Sequence, residues 1–399
     1  MSVSTLKTLT AGDITREALR ILKNSNKTLK TVSRQYDDRF AKTGSKNGGT
    51  LQIRQPNRYT VGTGRTITPQ ATDEKTTALV VGTQKNVACD FFSDDLTLSL
   101  DDFSSRILKP AMSILASTIS AAVATEMVKG FHQLVGTAGT TPSAYLTYGQ
   151  AGELLDWQTA PDDGNRTILL NPTMMVATAD AQKGLFSPAG AISSQYESGV
   201  VEEMTGFMFK KEQGLPTITN GTRASYVTGT GTPLTSGTAV LAVITGTGTM
   251  SAGEVFTIAG VFEVNPDTGV STGRLKQFVV AADYAGGAGN VTLGQIIYTS
   301  GARMNVSGAI PASTALTFVG NASTGYPRGL AFHRDSTVLA MADLEMPKNM
   351  DMAYRASIDG ISLRFIRGFD ITADNFISRF DVLYGIKVVR PEWGVQIIG

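Results

Sequence analysis

From Gly44 to about Ala88 the chain alternates Gly, Thr, Gln and Arg with single apolar residues, as in Leu51-Gln52-Ile53-Arg54 and Leu79-Val80-Val81. A period of two predicts extended chain, here a long two-stranded excursion. Fixing a backbone costs about 1 to 2 kcal/mol per residue, so ordering this stretch costs on the order of 40 to 80 kcal/mol. The segment holds few large apolar groups to set against that cost, and an isolated hairpin is marginal in water. It is therefore expected either to be disordered in a single chain or to lie on another subunit. Its basic residues Arg54, Arg58, Arg65 and Lys75 are read as inter-subunit contacts, pairing with acidic groups of a neighbour. The plainer alternative is that they keep a loop soluble.

The segments around this excursion read differently. Ahead of it, Asp13 is the expected cap of an amphipathic helix whose Ile14, Ala18, Leu19, Ile21 and Leu22 share a face. Asp13 and Arg16 join the candidate inter-subunit contacts. The basic run from Lys23 to Arg39 is closed by Asp37 and Asp38 and keeps helical spacing, which favours a solvated or neighbour-packed helix over a nucleic-acid tail. Behind the excursion, Ser99 is a plausible cap for a long helical pattern from Phe103 to Leu134. Pro110 divides it and opens its longer part, along which Ala111, Met112, Leu115, Ile119, Ala122, Val123 and Met127 line one side.

From Tyr145 to Pro216 the text is mixed, and Ile168-Leu169-Leu170-Asn171-Pro172 reads as a buried strand stopped by a turn. Residues 217–325 are rich in Thr, Gly, Val, Ala and Ser, with short strand-like runs at Ala239–Ile244, Glu254–Ile258 and Gln277–Val280. The turn signal Asn265-Pro266-Asp267-Thr268-Gly269 separates two of them. This predicts a small all-β unit inserted in the chain. The remainder alternates and predicts long antiparallel strands that close the fold.

The chemistry of the chain is sparse. With 35 basic and 34 acidic residues in 399, no net field holds nucleic acid along a dedicated surface. Cys89 is the single cysteine, which excludes an internal disulfide and a multi-cysteine metal site, and is read as a buried structural residue. His132 and His333 lack metal-ligand spacing; His132 is read as a cation at a helix C-terminus. The doublets Asp94-Asp95, Asp101-Asp102 and Asp162-Asp163 sit where caps and turns account for them, and the Gly-rich pieces at 246–248 and 286–289 lack a phosphate-loop pattern. No catalytic, cofactor or metal site is expected, and neither a signal peptide nor a membrane span.

The order of parts and three words, ILKPAMSILAS (Ile107 to Ser117), GEVFTIAGVFEVN (Gly253 to Asn265) and FDVLYGIKVVRPEWGVQI (Phe380 to Ile397), resemble the major capsid (coat) proteins of tailed bacteriophages. The likeness is to those of short-tailed Salmonella-type phages, which carry an inserted β-barrel. The resemblance implies an α+β Hong Kong-type capsid fold. Its parts would be an N-terminal arm (1–43), an extended hairpin loop (44–88), a peripheral domain with a spine helix (89–144), an axial domain (145–216 and 326–345), the inserted β-barrel (217–325) and closing peripheral strands (346–399). It further implies self-assembly into hexamers and pentamers of an icosahedral shell, a separate scaffolding protein, a portal, double-stranded DNA held non-specifically on the inner face, no cofactor, and assembly in the host cytoplasm. One departure stands out: where that family carries a charged bridging loop, Gly229–Thr235 is short and uncharged. A tail or decoration subunit, or a hydrolase with a β-domain, are the alternatives.

Overall fold

The computed structural model describes residues 10–25, 28–34, 49–62, 64–65, 69–70, 72, 74–91, 104–182, 201, 203–229, 236–348, 352–370 and 375–399. In chain order they form helix α1 (Ala11–Ser25), strands β1 (Gly49–Arg54), β2 (Thr76–Val81) and β3 (Thr83–Phe91), helix α2 (Lys109–Gly130), β4 (Gln133–Val135), α3 (Tyr145–Trp157), β5 (Arg166–Leu170) and α4 (Pro172–Gln182). Next come β6 (Glu203–Met204), β7 (Phe207–Lys211), β8 (Thr217–Thr219), β9 (Ala224–Thr228), β10 (Thr238–Thr247), β11 (Val255–Val264), β12 (Ser271–Val279), β13 (Gly289–Ile297) and β14 (Leu316–Phe318). The chain ends with β15 (Gly325–His333), β16 (Thr337–Ala342), β17 (Met352–Ile358), β18 (Ile361–Asp370), β19 (Asn375–Val388) and β20 (Gly394–Ile398). Two compact units result. One holds Met1–Ile53, Thr76–Val123 and Val338–Lys387; the other holds Arg54–Lys75, Ala124–Thr337 and Val388–Gly399.

In the first unit, β16, β19, β18 and β17 lie side by side, and β3 also pairs with β19. The register of β3 is antiparallel, with Cys89 opposite Ser378 and Lys85 opposite Val382. The excursion read over 44–88 is thus shorter than its alternation indicated. Strands β1 and β2 form a two-stranded sheet, whereas Thr83–Phe91 leaves it to extend the larger one. Gly385 permits the close approach of β2 to β19, because a Cβ there would lie 2.3 Å from the Val80 carbonyl oxygen. Helix α1 packs on β17 and β18 and buries Ile14, Ala18, Leu19, Ile21 and Leu22.

The cap of α1 is Thr10, not Asp13. The Thr10 hydroxyl oxygen lies 3.3 Å from the Asp13 amide that it accepts, and it donates to Asp13 Oδ2 at 2.7 Å. The helix begins one turn earlier than the apolar pattern marks, and Asp13 sits in its first turn, where a carboxylate suits the dipole. A π-helical turn, Ser104–Leu108, leads into α2, which places Pro110 in the first α-helical turn. The run Ser104–Gly130 is long and apolar enough to cross a membrane, but half of its most apolar window is buried in the chain, the pattern of a core helix.

In the second unit, a mixed sheet runs β4-β20-β15-β5-β7-β6, with β8 also on β15. Strands β5 and β7 are parallel, as are β20 and β4. The closing segment is therefore divided: β19 ends in the first unit's sheet and β20 enters this one, after a short 3-10 turn at Pro391–Trp393. Strand β5 is buried along its length and is stopped by helix α4, not by a simple turn. Asn171 Oδ1 accepts the Met174 amide at 2.7 Å, and Pro172, whose missing N–H costs nothing in a first turn, opens the helix. Replacing Asn171 by Ala is expected to cost about 1 kcal/mol of stability, read as a shifted urea midpoint at unchanged slope.

Two further three-stranded sheets, β13-β10-β9 and β12-β11-β14, lie within residues 224–318. Their inward residues, among them Tyr226, Leu241, Val243, Phe256, Phe278, Val291 and Leu293, build one apolar core, with the Phe256 and Phe278 rings stacked at 5.5 Å. The Asn265 turn joins β11 to β12, its side-chain oxygen accepting the Asp267 and Thr268 amides at 2.9 and 3.1 Å.

Candidate assembly surface and buried charge centres

The hairpin carries large apolar groups facing solvent. Val61 is 96% exposed and Tyr59 61%, and Val80 on β2 is also exposed. Each such group in water forgoes burial worth about 1.5 to 3 kcal/mol. The six residues read as inter-subunit contacts are placed as follows. Arg54 Nη1 meets Glu74 Oε2 of the same loop at 3.2 Å, and Arg58 Nη2 meets Glu392 Oε1 at 3.5 Å. The carbonyl oxygen of Lys75 accepts the Gln55 amide at 2.8 Å, and Arg65 is exposed. On α1, Arg16 donates to the Tyr354 hydroxyl at 3.3 Å, and Asp13 is bound to Thr10 as above. Among the described residues, all but Arg65 have a partner in their own chain.

Two charged clusters lie inside the second unit, and neither is marked by a motif. In the first, Lys276 Nζ on β12 stands 3.0 Å from His132 Nε2 and 3.3 Å from Glu263 Oε1 on β11. All three are buried. Gln133 Nε2 donates to the same Glu263 oxygen at 3.4 Å. The Gln277 side chain brackets Leu134, accepting its amide at 2.7 Å and donating to its carbonyl at 3.0 Å. This overturns the reading of His132 as a helix-end cation. The imidazole accepts from an ammonium, and burial, reinforced by Lys276, holds its pKa well below the ordinary 6.5.

In the second cluster, Arg223 Nε lies 2.8 Å from Glu254 Oε2, and Arg223 Nη2 donates to the carbonyls of Val319 and Gly320 at 3.2 and 3.1 Å. Its guanidinium stacks 4.5 Å over the Phe318 ring. Glu254 Oε1 accepts the amides of Gly221 and Ser251 at 2.5 and 2.8 Å. Arg328 on β15 is 1% exposed, and its guanidinium makes no hydrogen bond among the described residues. Burial pulls its pKa down to about 10, against the attraction of Glu254. Glu254 thus pairs with one buried guanidinium and attracts a second.

The other titratable residues singled out in the sequence are placed as follows. His333 Nε2 lies 3.0 Å from Asp163 Oδ1, its Nδ1 accepts the Asp335 amide at 3.2 Å, and its ring meets Trp393 edge-on at 5.4 Å. Cys89 is half-buried, short of the full burial expected, and burial raises its thiol pKa. No group of three or more His, Cys, Asp or Glu that could hold a metal occurs among the described residues. Asp94-Asp95, Asp101-Asp102 and most of Gly229–Thr235 lie outside them.

The family model described as P22 coat protein, gene protein 5, matches residues 70–399. The chain belongs to the P22 coat protein family. It is a coat protein, a subunit of a phage head shell. Both buried charge centres and the two-sheet β unit fall inside the matched stretch, while α1, β1 and the loop residues Gln55 to Arg65 precede it. No curated protein matches the chain in sequence. Among solved structures, it is similar over 100% of its length to 94% of a chain of Mycobacterium phage Che8, at 12% identity and a TM-score of 0.46. It is similar over 100% to 90% of a chain in the capsid of cyanophage P-SCSP1u, at 12% identity and 0.42. It is similar over 92% to 86% of a chain in the capsid of Ralstonia phage GP4, at 8% identity and 0.44.

Proposed function

We propose that this coat protein builds an icosahedral head of hexamers and pentamers with the Hong Kong-type subunit plan, and that it acts by association alone, without catalysis. The observation that carries the reading is the hairpin: β1 and β2 form a two-stranded ladder whose loop and β2 present Tyr59, Val61 and Val80 to solvent. A second copy supplies the missing apolar surface. In this reading the loop lies over the adjacent subunit, residues 1–43 act as an arm, 145–216 and 326–345 face the capsomer axis, and 217–325 form an inserted domain that stabilises the subunit. Arg65, exposed at the loop, is the residue of the six best placed to reach a neighbour's acid. Shell formation in the host cytoplasm draws on a separate scaffolding protein and a portal. The near-zero net charge of +1 fits DNA held non-specifically by confinement instead of by a binding stripe.

Negative-stain microscopy of the expressed protein, with and without its scaffolding partner, is the test. Capsomers or closed shells are expected. Tubes would favour a tail subunit, and monomers under every condition would overturn the assembly reading.

A further inference from the structure

The loop between β1 and β2 groups with the second unit, although its two strands pair in the first. Its described contacts there form a polar clasp. Gln55 Nε2 donates to the Val389 carbonyl at 3.2 Å, Arg303 donates to Gln55 Oε1 at 3.5 Å and to the Pro56 carbonyl at 3.2 Å, and Arg58 reaches Glu392 at 3.5 Å. Glu392 and Val389 flank Arg390, whose guanidinium is stacked 3.9 Å over Trp393. The receiving segment is therefore braced by a side-chain contact of its own.

We propose that this clasp is an autoinhibitory contact: in the unassembled subunit it holds the hairpin loop on its own chain, and assembly requires the loop to leave. The inference rests on the coat-protein reading above, in which the loop serves a neighbouring copy. Its contacts have the character of a catch that opens. They are long, polar and partly exposed, with Arg58 and Glu392 at 31% and 24% side-chain exposure, and ion pairs of that kind contribute little. Meanwhile Tyr59 and Val61, beside the clasp, stay in water, so the self-docked state leaves the loop's apolar groups unburied. A neighbour that covers them wins the exchange through the hydrophobic term. The clasp delays that exchange until subunits meet.

The test uses the full chain with Cys89→Ser, Arg58→Cys and Glu392→Cys, joined by a short bis-methanethiosulfonate linker that reductant cleaves. The two thiols need a linker because the side chains they replace span a gap that a direct disulfide would have to close by moving backbone. In unassembled protein the linker is expected to close within one chain. Linked subunits are expected to lose shell formation, followed by light scattering and microscopy, and reductant is expected to restore it. Shells from linked subunits at the unlinked rate would overturn the proposal, as would failure of the linker to close within a chain. As a second variant without cysteines, Glu392→Arg sets like charges face to face. It is expected to speed tryptic cleavage after Arg65, farther along the same loop and exposed, and to shorten the assembly lag severalfold, with Arg58→Glu added to restore both; an unchanged or longer lag counts against the clasp. If the parent chain itself never forms shells, the coat-protein reading falls, and the clasp's role falls with it.

Discussion

Replacing Glu254 by Gln is expected to lower the unfolding free energy by about 3 to 5 kcal/mol, the cost of breaking a buried ion pair by deleting one partner. Glu254 is 1% exposed, pairs with Arg223 at 2.8 Å and acts electrostatically on Arg328. The substitution takes from the buried Arg223 and Arg328 the carboxylate that attracts both, and a neutral amide must then serve the amides of Gly221 and Ser251 that Oε1 now accepts. The contrast is Arg328→Met. That guanidinium has no hydrogen bond among the described residues, so its burial carries a desolvation cost with little direct return. An apolar chain of similar length is expected to be neutral or to stabilise by about 1 to 4 kcal/mol, as for other buried ionic groups replaced by well-packed apolar ones. Urea denaturation of the two variants and the parent decides. A Glu254→Gln variant within about 1 kcal/mol of the parent would show that the cluster is hydrated and not a closed ion pair.

Much of the scaffold was legible because periodicity reports burial. The α1 face and the α2 seam could be read from spacing, since residues three and four apart meet the same neighbour. The strands of the β unit showed as short apolar runs between turn signals. What the sequence hid was pairing. Thr83–Phe91 continues the alternation of β2 without a strong break, so only its partner β19 separates it from the hairpin. Asn171-Pro172 is as good an opening for a helix as for a turn, and a cap is recognised only once the Met174 amide is seen on it. The charge centres were hidden more deeply. His132, Glu263 and Lys276 are 131 and 144 residues apart along the chain from the histidine's end, so nothing local distinguishes a buried acceptor from a helix-end cation. Arg328, in Tyr326-Pro327-Arg328-Gly329, sits in a strand whose other residues, the terminal His333 apart, are apolar or small. A lone charge at a strand position that ought to be buried was the available signal.

The His132 cluster makes the second large prediction, a dependence of stability on pH with a defined sign. In the unfolded chain the imidazole takes a proton near the ordinary 6.5, whereas in the fold burial and Lys276 hold its pKa well below that. Above 6.5 both states are neutral, and the full stability is present. As pH falls below 6.5 the unfolded state binds a proton that the folded state refuses, so stability is lost by at most about 1.4 kcal/mol per pH unit. The loss continues until the buried imidazole is itself protonated. His132→Gln keeps an acceptor for the Lys276 ammonium and removes the titration. The stability difference between parent and variant is therefore expected to move in the variant's favour as pH falls from 6.5 towards 4, and to be flat above 7. Asp163 does not confuse this window. Its carboxyl, held at about 2 chiefly by Asn165, against an ordinary 3.8, adds stability that is present above 3.8 and lost progressively as pH falls from there through 2. Equal slopes for parent and variant between pH 4 and 6.5 would mean that His132 is protonated in the fold. The ammonium of Lys276 would then face a second cation at 3.0 Å, with Glu263 the sole carboxylate among the described residues of the cluster to hold both.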